Sequence, residues 1–174
     1  FGGKFLNSRR PGSQPHQDPP TFLVDGKSSR SIDSFAPGSR ITALCHDLEN
    51  RLWIGSTDDG LARLDGDKFE DFKNAKNRPN TPVLSLACAR DGTMWIGMGN
   101  SGIYRYKNNR FEHISKQEGL PPIRVRAISE GKSGDIWFAT GGHGIYRFRN
   151  EAFQQFSDEH GLPSNEINTL IDDH

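Results

Sequence analysis

Short runs in which apolar and polar residues alternate follow one another along the chain, and turn-forming residues separate them. Alternation with a period of two is typical of strands that are buried on one face. From residue 41 the runs predict strand A at 41–46, strand B at 51–56, strand C at 61–65 and strand D at 68–72. The connections between them are so short that neighbouring strands must be antiparallel. The pattern therefore predicts a four-stranded antiparallel meander.

The same pattern returns with a step of 42 residues. When the repeats are aligned, several columns of equivalent positions hold the same residue in each repeat. They include Trp53, Trp95 and Trp137; Gly60, Gly102 and Gly144; Arg63, Arg105 and Arg147; and Phe69, Phe111 and Phe153. A two-helix repeat of similar length would show an apolar stripe every 3.6 residues, and no such stripe is present. A period of this length with many short strands is typical of propeller blades. The predicted fold class is all-β, built from β-propeller blades.

The repeat predicts how the chain is organised. Residues 1–20 are a linker or arm, 21–40 the outer strands of a partial blade, 41–82, 83–124 and 125–166 complete blades, and 167–174 the inner strand of a further blade. The first stretch is rich in Pro, Gly, Ser and Gln, which offer too little apolar surface to offset chain entropy. Propellers start at about four blades, so this is an incomplete ring or a fragment. We favour a segment of a longer protein over a ring closed by two copies.

Three of the columns predict structural roles. A Trp side chain buries about 150–250 Å², and we expect the three rings to wedge between the faces of adjacent blades. The glycines most simply supply a backbone conformation that a Cβ atom would forbid. The arginines recur in every unit, which argues against a unique site and indicates a repeated bond within or between blades.

Charge and hydropathy exclude some partners. Lys plus Arg and Asp plus Glu number 22 each, so the chain lacks the basic excess that holds a nucleic acid backbone. No apolar run reaches the roughly 18 to 20 residues that cross a bilayer, and no direct membrane insertion of this segment is expected. No leader peptide is visible at Phe1, where processing or truncation could have removed one.

The two cysteines, Cys45 and Cys88, lie in strand A of successive repeats, 43 residues apart. We interpret them as two small buried thiols, since neighbouring strands of a ring diverge outward. The alternative is a disulfide between units, which requires Cα atoms less than about 7 Å apart. No Cys and His spacing resembles a zinc site, and neither a metal nor a cofactor is expected.

Several motifs agree in register with a known repeat. They read Val83-Leu84-Ser85-Leu86, Met94-Trp95-Ile96-Gly97, Gly102-Ile103-Tyr104-Arg105 and Gly119-Leu120-Pro121, and Gly161-Leu162-Pro163 ends the next copy. This pattern resembles the two-component regulator propeller repeat, over about residues 41–174. The first linker departs from it, because 76–80 replaces Gly-Leu-Pro.

The resemblance implies a function. In that family such repeats form the periplasmic sensor portion of bacterial hybrid histidine kinases and often recognise carbohydrate-derived signals. The chain holds no kinase, receiver or DNA-binding segment, so only the sensor role carries over. We therefore expect a periplasmic or extracytoplasmic segment that binds a small carbohydrate-like ligand. The alternative is a protein-interaction scaffold, completed by another chain or by self-association.

Blade geometry indicates where a ligand would bind. The B–C turns and D–A linkers emerge on one face of the ring, and their sequences vary between units, whereas the A–B and C–D turns on the opposite face are short and similar. Loops on a rigid scaffold often carry recognition. The candidate ligand-binding residues are Asp58, Asp59, Asn100, Ser101, Arg124, Arg126, His143 and Asn165. The competing interpretation is that the two aspartates are turn formers and that His143 is a solvated loop side chain.

Catalysis has little support in the sequence. No Gly-x-Ser-x-Gly elbow, paired-carboxylate motif or phosphate loop is present. The sequence therefore predicts a non-enzymatic binding module.

Overall fold

The computed structural model describes residues 4–6, 22–24, 29–31, 40–72, 74–79, 82–117 and 120–171. For the first three of these ranges it describes the backbone alone. The chain divides into two compact units, 1–40 and 41–174. Each is described by itself.

The first unit contains a three-stranded antiparallel sheet. Its strands are β1 (Lys4–Leu6), β2 (Phe22–Val24) and β3 (Ser29–Ser31), in the order β1-β2-β3. Strand β1 pairs with β2 through Lys4 opposite Val24. Strand β1 lies within residues 1–20, which were predicted to be a linker or arm. The prediction did not include this strand. The rest of that stretch lies outside the described residues.

The second unit contains three four-stranded antiparallel sheets. Blade 1 consists of β4 (Ile41–His46), β5 (Leu52–Ser56), β6 (Leu61–Asp65) and β7 (Lys68–Asp71). Blade 2 consists of β8 (Val83–Cys88), β9 (Met94–Met98), β10 (Ile103–Lys107) and β11 (Arg110–Glu112). Blade 3 consists of β12 (Arg124–Glu130), β13 (Ile136–Gly141), β14 (Ile145–Arg149) and β15 (Ala152–Phe156). Each sheet follows chain order, so the predicted meander and the fold class are confirmed.

Among the described residues, helix occurs only after the last strand of blade 2 and of blade 3. One α-helical turn, α1 (Ile114–Gln117), follows β11, and a 3-10 turn at Asp158–His160 follows β15. After it, Glu166 forms an isolated bridge with Gly141, and residues 167–171 form no strand. The sequence had predicted an inner strand at 167–174, whose last three residues are outside the described part. An inner strand needs strand B of its own blade as a hydrogen-bonded neighbour, and the described residues provide none.

The aromatic core lies in the gaps between blades. Trp53 is 1% exposed, stacks on Phe72 of its own blade and meets Tyr106 of blade 2 edge to face at 5.1 Å. The equivalent Trp95 is 4% exposed and contacts Phe148 of blade 3 in the same way, also at 5.1 Å. Each indole therefore packs against the aromatic side chain of strand C in the next blade.

Trp137 has the same place in blade 3 but a different environment. It contacts Phe156 of its own blade, with ring centroids 5.7 Å apart, and it is only half-buried. Arg147 lies over its ring at 5.6 Å. The face of blade 3 that carries Trp137 is thus less covered than the equivalent faces of blades 1 and 2.

The arginine column makes an equivalent contact in each blade. Arg63 pairs with Glu70, Arg105 with Glu112 at 2.6 Å, and Arg147 donates to the Gln154 side chain. Each acceptor lies seven residues further along, on strand D. Arg63 also lies over the Trp53 ring at 5.1 Å. The three contacts join strand C to strand D. In blades 1 and 3 the arginine also lies over the indole of its own blade.

The interpretation of Cys45 and Cys88 as free thiols is wrong, because the two residues form a disulfide with their Cα atoms 6.0 Å apart. The A strands of successive blades lie side by side, close enough for Thr42 Oγ1 of β4 to donate to the Val83 carbonyl of β8 at 2.6 Å. The spacing of the two cysteines in the sequence could have predicted this pairing. A separation of 43, one more than the repeat, puts the two side chains on opposite faces of equivalent strands. They therefore face each other across the gap between blades 1 and 2.

The glycine column adopts backbone conformations that other residues rarely enter. Gly60, Gly102 and Gly144 have φ of +78°, +75° and +71°. At Gly144 a Cβ atom would also collide with the backbone carbonyl of Phe156. Gly134 has φ of +84° as well, but a Cβ atom there would meet no atom within 4 Å.

Gly144→Ala is expected to destabilise the protein by about 2–4 kcal/mol, since it combines a left-handed backbone with a backbone collision. Gly134→Ala is the matched control and should cost only the backbone strain, about 1–2 kcal/mol. The free energies of unfolding in urea measure the difference. Equal losses for the two variants would show that the strand D backbone yields to the added methyl group.

The turn between strands A and B of blade 1 is organised by one carboxylate. Asp47 accepts hydrogen bonds from the Trp53 indole N–H at 2.9 Å, from the Arg51 guanidinium at 2.7 Å and from the Arg51 backbone N–H at 2.9 Å. Burial of this carboxylate opposes ionisation, but the hydrogen bonds from Trp53 and Arg51 outweigh it and lower the pKa of Asp47.

Asp47→Asn is expected to lower the melting temperature near pH 6 and to do so progressively less as the pH falls toward 3. The pKa of Asp47 is lower in the folded than in the unfolded chain, so its stabilising effect is present above the ordinary value of 3.8 and is lost below it. Melting temperatures of both proteins between pH 3 and pH 6 provide the measurement. A difference that does not change with pH would contradict an ionic role for Asp47.

Candidate ligand-binding face

The B–C turns and the D–A linkers are joined by backbone hydrogen bonds. In blade 2 the N–H of Gly102 donates to the Ile123 carbonyl at 3.0 Å, and in blade 3 the N–H groups of Gly142 and Gly144 donate to the Asn165 carbonyl at 3.1 and 2.8 Å. Turns and linkers therefore share one face, which we call the linker face. The opposite face, formed by the A–B and C–D turns, is the turn face.

On the linker face the charged side chains cluster at blade 3. The Arg126 guanidinium lies 2.8 Å from the Glu166 carboxylate and also donates to the Asn168 side-chain carbonyl. A Cβ atom at Gly141 would lie 3.2 Å from this guanidinium, so a glycine there lets Arg126 lie against the backbone. Arg124 is exposed and its Nε is 3.5 Å from the Gly99 carbonyl of blade 2. The two arginines and Glu166 thus form a polar cluster with one exposed cation.

The other predicted site residues lie in the B–C turns of three different blades. Asp58 accepts a hydrogen bond from the Thr57 hydroxyl at 2.6 Å, and the backbone N–H of Asp59 donates to Ser56 Oγ at 3.0 Å. Such bonds are typical of turn-forming side chains. Asn100 is exposed at the tip of the blade 2 turn. These residues belong to separate turns, and the structure does not gather them into one pocket.

Ser101 and His143 occupy equivalent turn positions, and in both blades a side chain at the end of strand D or directly after it holds the turn. The Ser101 carbonyl lies 2.6 Å from the His113 ring, and the His143 carbonyl accepts a hydrogen bond from the Gln155 side chain at 2.9 Å. The Nδ1 atom of His143 is buried and has no hydrogen-bond partner among the described residues. Its imidazole is therefore partly buried against the turn, which differs from a fully solvated loop side chain.

Asn165 acts on the backbone of its own linker. Its carbonyl binds the B–C turn, and its side-chain oxygen accepts a hydrogen bond from the Asp158 N–H at 2.9 Å. The neighbouring Glu166 makes the contact with Arg126. Glu166 therefore contacts Arg126 directly, whereas the contacts of Asn165 are with the backbone.

The turn face, which was not predicted to bind a ligand, contains a cleft of about 710 Å³ between blades 2 and 3. Four of the five cations that line it pair with carboxylates across and within the blades. The pairs are Arg90 with Glu130 at 3.2 Å, Arg105 with Glu151 at 2.8 Å, Lys107 with Asp91 at 2.6 Å and Arg149 with Asp135 at 3.4 Å. Burial opposes ionisation of Asp91, but the hydrogen bonds from Lys107 and Thr93 outweigh it, so the pKa of Asp91 is lowered. The cleft could not be predicted from the turn sequences, which are similar between blades, because it is formed by side chains of two blades.

Two absences bear on the chemistry of the described residues. No group of three or more His, Cys, Asp or Glu side chains in that part of the chain is placed to hold a metal ion. Nor does that part contain a helix long and apolar enough to span a membrane.

The fold is that of a β-propeller segment, and solved structures share it. The chain superimposes on the extracellular domains of two proteins assigned to the hybrid two component systems of B. thetaiotaomicron. One is 22% identical with a TM-score of 0.72, covering 89% of this chain and 23% of the other. The second is 18% identical with a TM-score of 0.68, covering 87% of this chain and 22% of the other. The chain thus spans about a quarter of the length of these relatives.

An enzyme has the same type of fold. Virginiamycin B lyase from Staphylococcus aureus is 19% identical with a TM-score of 0.54, over 71% of this chain and 42% of the lyase. No curated protein matches the chain in sequence. At these identities, the similarity to the solved structures establishes the fold alone.

The family model for the two component regulator propeller matches residues 77–100 and 119–142. Each match contains the end of a D–A linker followed by strands A and B, in blade 2 and in blade 3. The chain therefore carries two component regulator propeller repeats, and the resemblance identified from the sequence is confirmed.

Proposed function

We propose that this chain is part of an extracytoplasmic sensor propeller that binds a small carbohydrate-like ligand on its linker face and does not transform it. The presence of two component regulator repeats in a propeller fold is the observation that carries the proposal. In this account the rigid blades hold Arg124, Arg126 and His143 in place. The arginines and turn backbone groups supply hydrogen bonds to sugar hydroxyls.

The disulfide supports the extracytoplasmic location independently of any relative. Cys45 and Cys88 are cross-linked between blades 1 and 2. Disulfides form and persist in oxidising compartments and are rare in the cytosol. The disulfide and the type of fold thus both support an extracytoplasmic location.

Calorimetric titration of the 174-residue chain with neutral and acidic di- and trisaccharides tests the proposal. We expect saturable binding of at least one saccharide, weakened about tenfold by Arg126→Gln, because charge-assisted hydrogen bonds are the stronger ones. Arg149→Gln is the control: it removes an arginine paired with Asp135 on the turn face and should leave binding unchanged. Mass spectrometry of the recovered saccharide should show no product.

Three results would overturn parts of this proposal. Absence of saturable binding across the panel would reject carbohydrate recognition. Binding that Arg126→Gln leaves intact would reject the linker face as its location. A cleaved or eliminated product would reject the non-enzymatic assignment.

One observation favours a second candidate, a scaffold whose ring is completed by association. The half-buried Trp137 lies on a face of blade 3 whose equivalents in blades 1 and 2 are covered by the next blade. Light scattering at several concentrations tests this function. A mass near twice the 19.5 kDa of one chain supports self-association, and a constant mass of 19.5 kDa contradicts it.

A further inference from the structure

Two adjoining cavities open at the outer rim of blades 1 and 2, beside the linker that joins them. Their volumes are about 400 and 700 Å³, within the range of small-molecule pockets. They share Asn77, Arg110 and Phe111 as lining residues. We call the combined space the rim groove. Its walls include Lys76, Asn77, Arg78, Tyr104, Arg110 and Phe111.

The linker beside the groove is the one that departs from the Gly-Leu-Pro pattern. It is folded by successive turns, in which the Ala75 N–H donates to the Phe72 carbonyl at 3.1 Å and the Arg78 N–H donates to the Ala75 carbonyl at 3.4 Å. Ala75 packs against the aromatic core between the blades. Anchored at this point, the linker places Lys76, Asn77 and Arg78 in the wall of the groove.

Three cations of the groove lack carboxylate partners. Among the described residues, no ion pair includes Lys76, Arg78 or Arg110. The described hydrogen bond of the Arg78 guanidinium goes to the adjacent Pro79 carbonyl, at 3.3 Å.

Three carboxylates line the groove, against the four cations Arg63, Lys76, Arg78 and Arg110. Of Glu70, Asp71 and Glu112, the first is held by Arg63 and the third by Arg105. In the turn-face cleft, by contrast, each of the four cations named above has a carboxylate partner. The rim groove therefore has a surplus of cations that the fold itself does not use.

A tyrosine whose hydroxyl has no partner among the described residues also lines the groove. Tyr104 is 7% exposed, and its ring stacks on His113 with centroids 4.1 Å apart. Its hydroxyl has no hydrogen-bond partner within the described residues, whereas the Tyr106 hydroxyl donates to Asn109 at 2.9 Å. Burial raises the pKa of Tyr104, so its hydroxyl keeps its proton and can donate.

We propose that the rim groove binds a short acidic carbohydrate, a chain of sugar rings that carries carboxylates. Arg78 and Arg110 would hold a carboxylate, because guanidinium groups match its planar geometry with two parallel hydrogen bonds. The Tyr104 hydroxyl and the Asn77 amide would bind sugar hydroxyls. The proposal rests on the proposed function in taking the ligand to be a carbohydrate, and it adds both the charge of the ligand and a site away from the linker face.

Calorimetric titrations with three probes test the class of ligand. The probes are trigalacturonic acid, the neutral trisaccharide cellotriose, and sodium sulfate as a simple anion. We expect trigalacturonic acid to bind at least tenfold more tightly than either of the others, and more weakly as the salt concentration rises. Equal affinity for cellotriose would overturn the requirement for charge. Equal affinity for sulfate would overturn the requirement for sugar rings, and no binding of trigalacturonic acid would overturn the proposal as a whole.

Four variants test the location. Arg110→Ala and Tyr104→Phe should each weaken the binding of trigalacturonic acid, the first about tenfold or more and the second several-fold. Their controls occupy the equivalent positions of neighbouring blades outside the groove, Lys68→Ala in blade 1 and Tyr146→Phe in blade 3, and should leave it unchanged. Melting temperatures close to that of the parent would show that the variants are folded, since Arg110 makes no ion pair and Phe keeps the ring of Tyr104.

The outcomes separate this proposal from the proposed function. Binding that depends on Arg126 but not on Arg110 or Tyr104 would overturn the rim groove and leave the linker-face sensor intact. Binding that depends on Arg110 and Tyr104 but not on Arg126 would support the rim groove and reject the linker face.

Discussion

Replacing Trp95 with alanine is expected to lower the free energy of unfolding by about 3–5 kcal/mol. The indole is 4% exposed and lies between blades 2 and 3, in contact with Phe138 at 5.5 Å and Phe148 at 5.1 Å. Its removal leaves a cavity lined by two sheets that are held apart by their other contacts, so the gap closes only partly. Urea titration followed by circular dichroism measures the loss.

Trp137→Ala is the matched control for this prediction. The residue type, the strand and the position within the blade are the same, but Trp137 is half-buried and contacts Phe156 of its own blade alone among the described rings. Its removal should cost roughly half as much or less, because less apolar surface returns to water. Equal losses for Trp95→Ala and Trp137→Ala would contradict the view that the packing between blades stabilises this unit.

Replacing both cysteines with alanine is expected to cost about 2–4 kcal/mol. The disulfide joins blade 1 to blade 2 across 43 residues of chain, and without it the unfolded state gains conformational freedom. The measurement is the urea midpoint of the parent and of the Cys45→Ala/Cys88→Ala variant, each with and without a reductant. Reductant should lower the midpoint of the parent toward that of the variant and leave the variant unchanged.

Thiol titration of the denatured protein provides the check on this prediction. The parent should show no free thiol before reduction and two after it. Two free thiols in the parent before reduction would mean that the bridge is absent in solution. A variant as stable as the parent would mean that the bridge does not stabilise the folded protein relative to the unfolded chain.

The blades could be predicted from sequence because their determinants are local. Strand bounds follow from alternation and from turn residues, and the predicted ends of β5 and β7 differ from the observed Leu52–Ser56 and Lys68–Asp71 by one residue. The fixed step of 42 then transfers each assignment to the next blade. The burial of Trp53 and Trp95 between blades follows the same logic, since equivalent residues meet equivalent neighbours.

The site residues were harder to predict, because spacing along the chain does not give distances around a ring. Asp58, Asn100 and His143 vary within the same turn of successive blades, but each belongs to its own blade. The Arg126 and Glu166 pair arises where strand A of blade 3 passes the linker that follows it. The rim groove has a sequence signal, the irregular linker at 76–80, but the contribution of Arg110 and Tyr104 to its wall depends on how blades 1 and 2 pack.

The one-residue offset between Cys45 and Cys88 means that copying a blade cannot by itself create the bridge. Duplication of a blade copies a cysteine to the equivalent position, where it points the same way as the original and cannot meet it. The two bridging residues are not equivalent, since the counterpart of Cys45 in blade 2 is Ala87 and that of Cys88 in blade 1 is His46. The bridge is therefore no part of the repeat, and it distinguishes the junction of blades 1 and 2 from the junction that follows it.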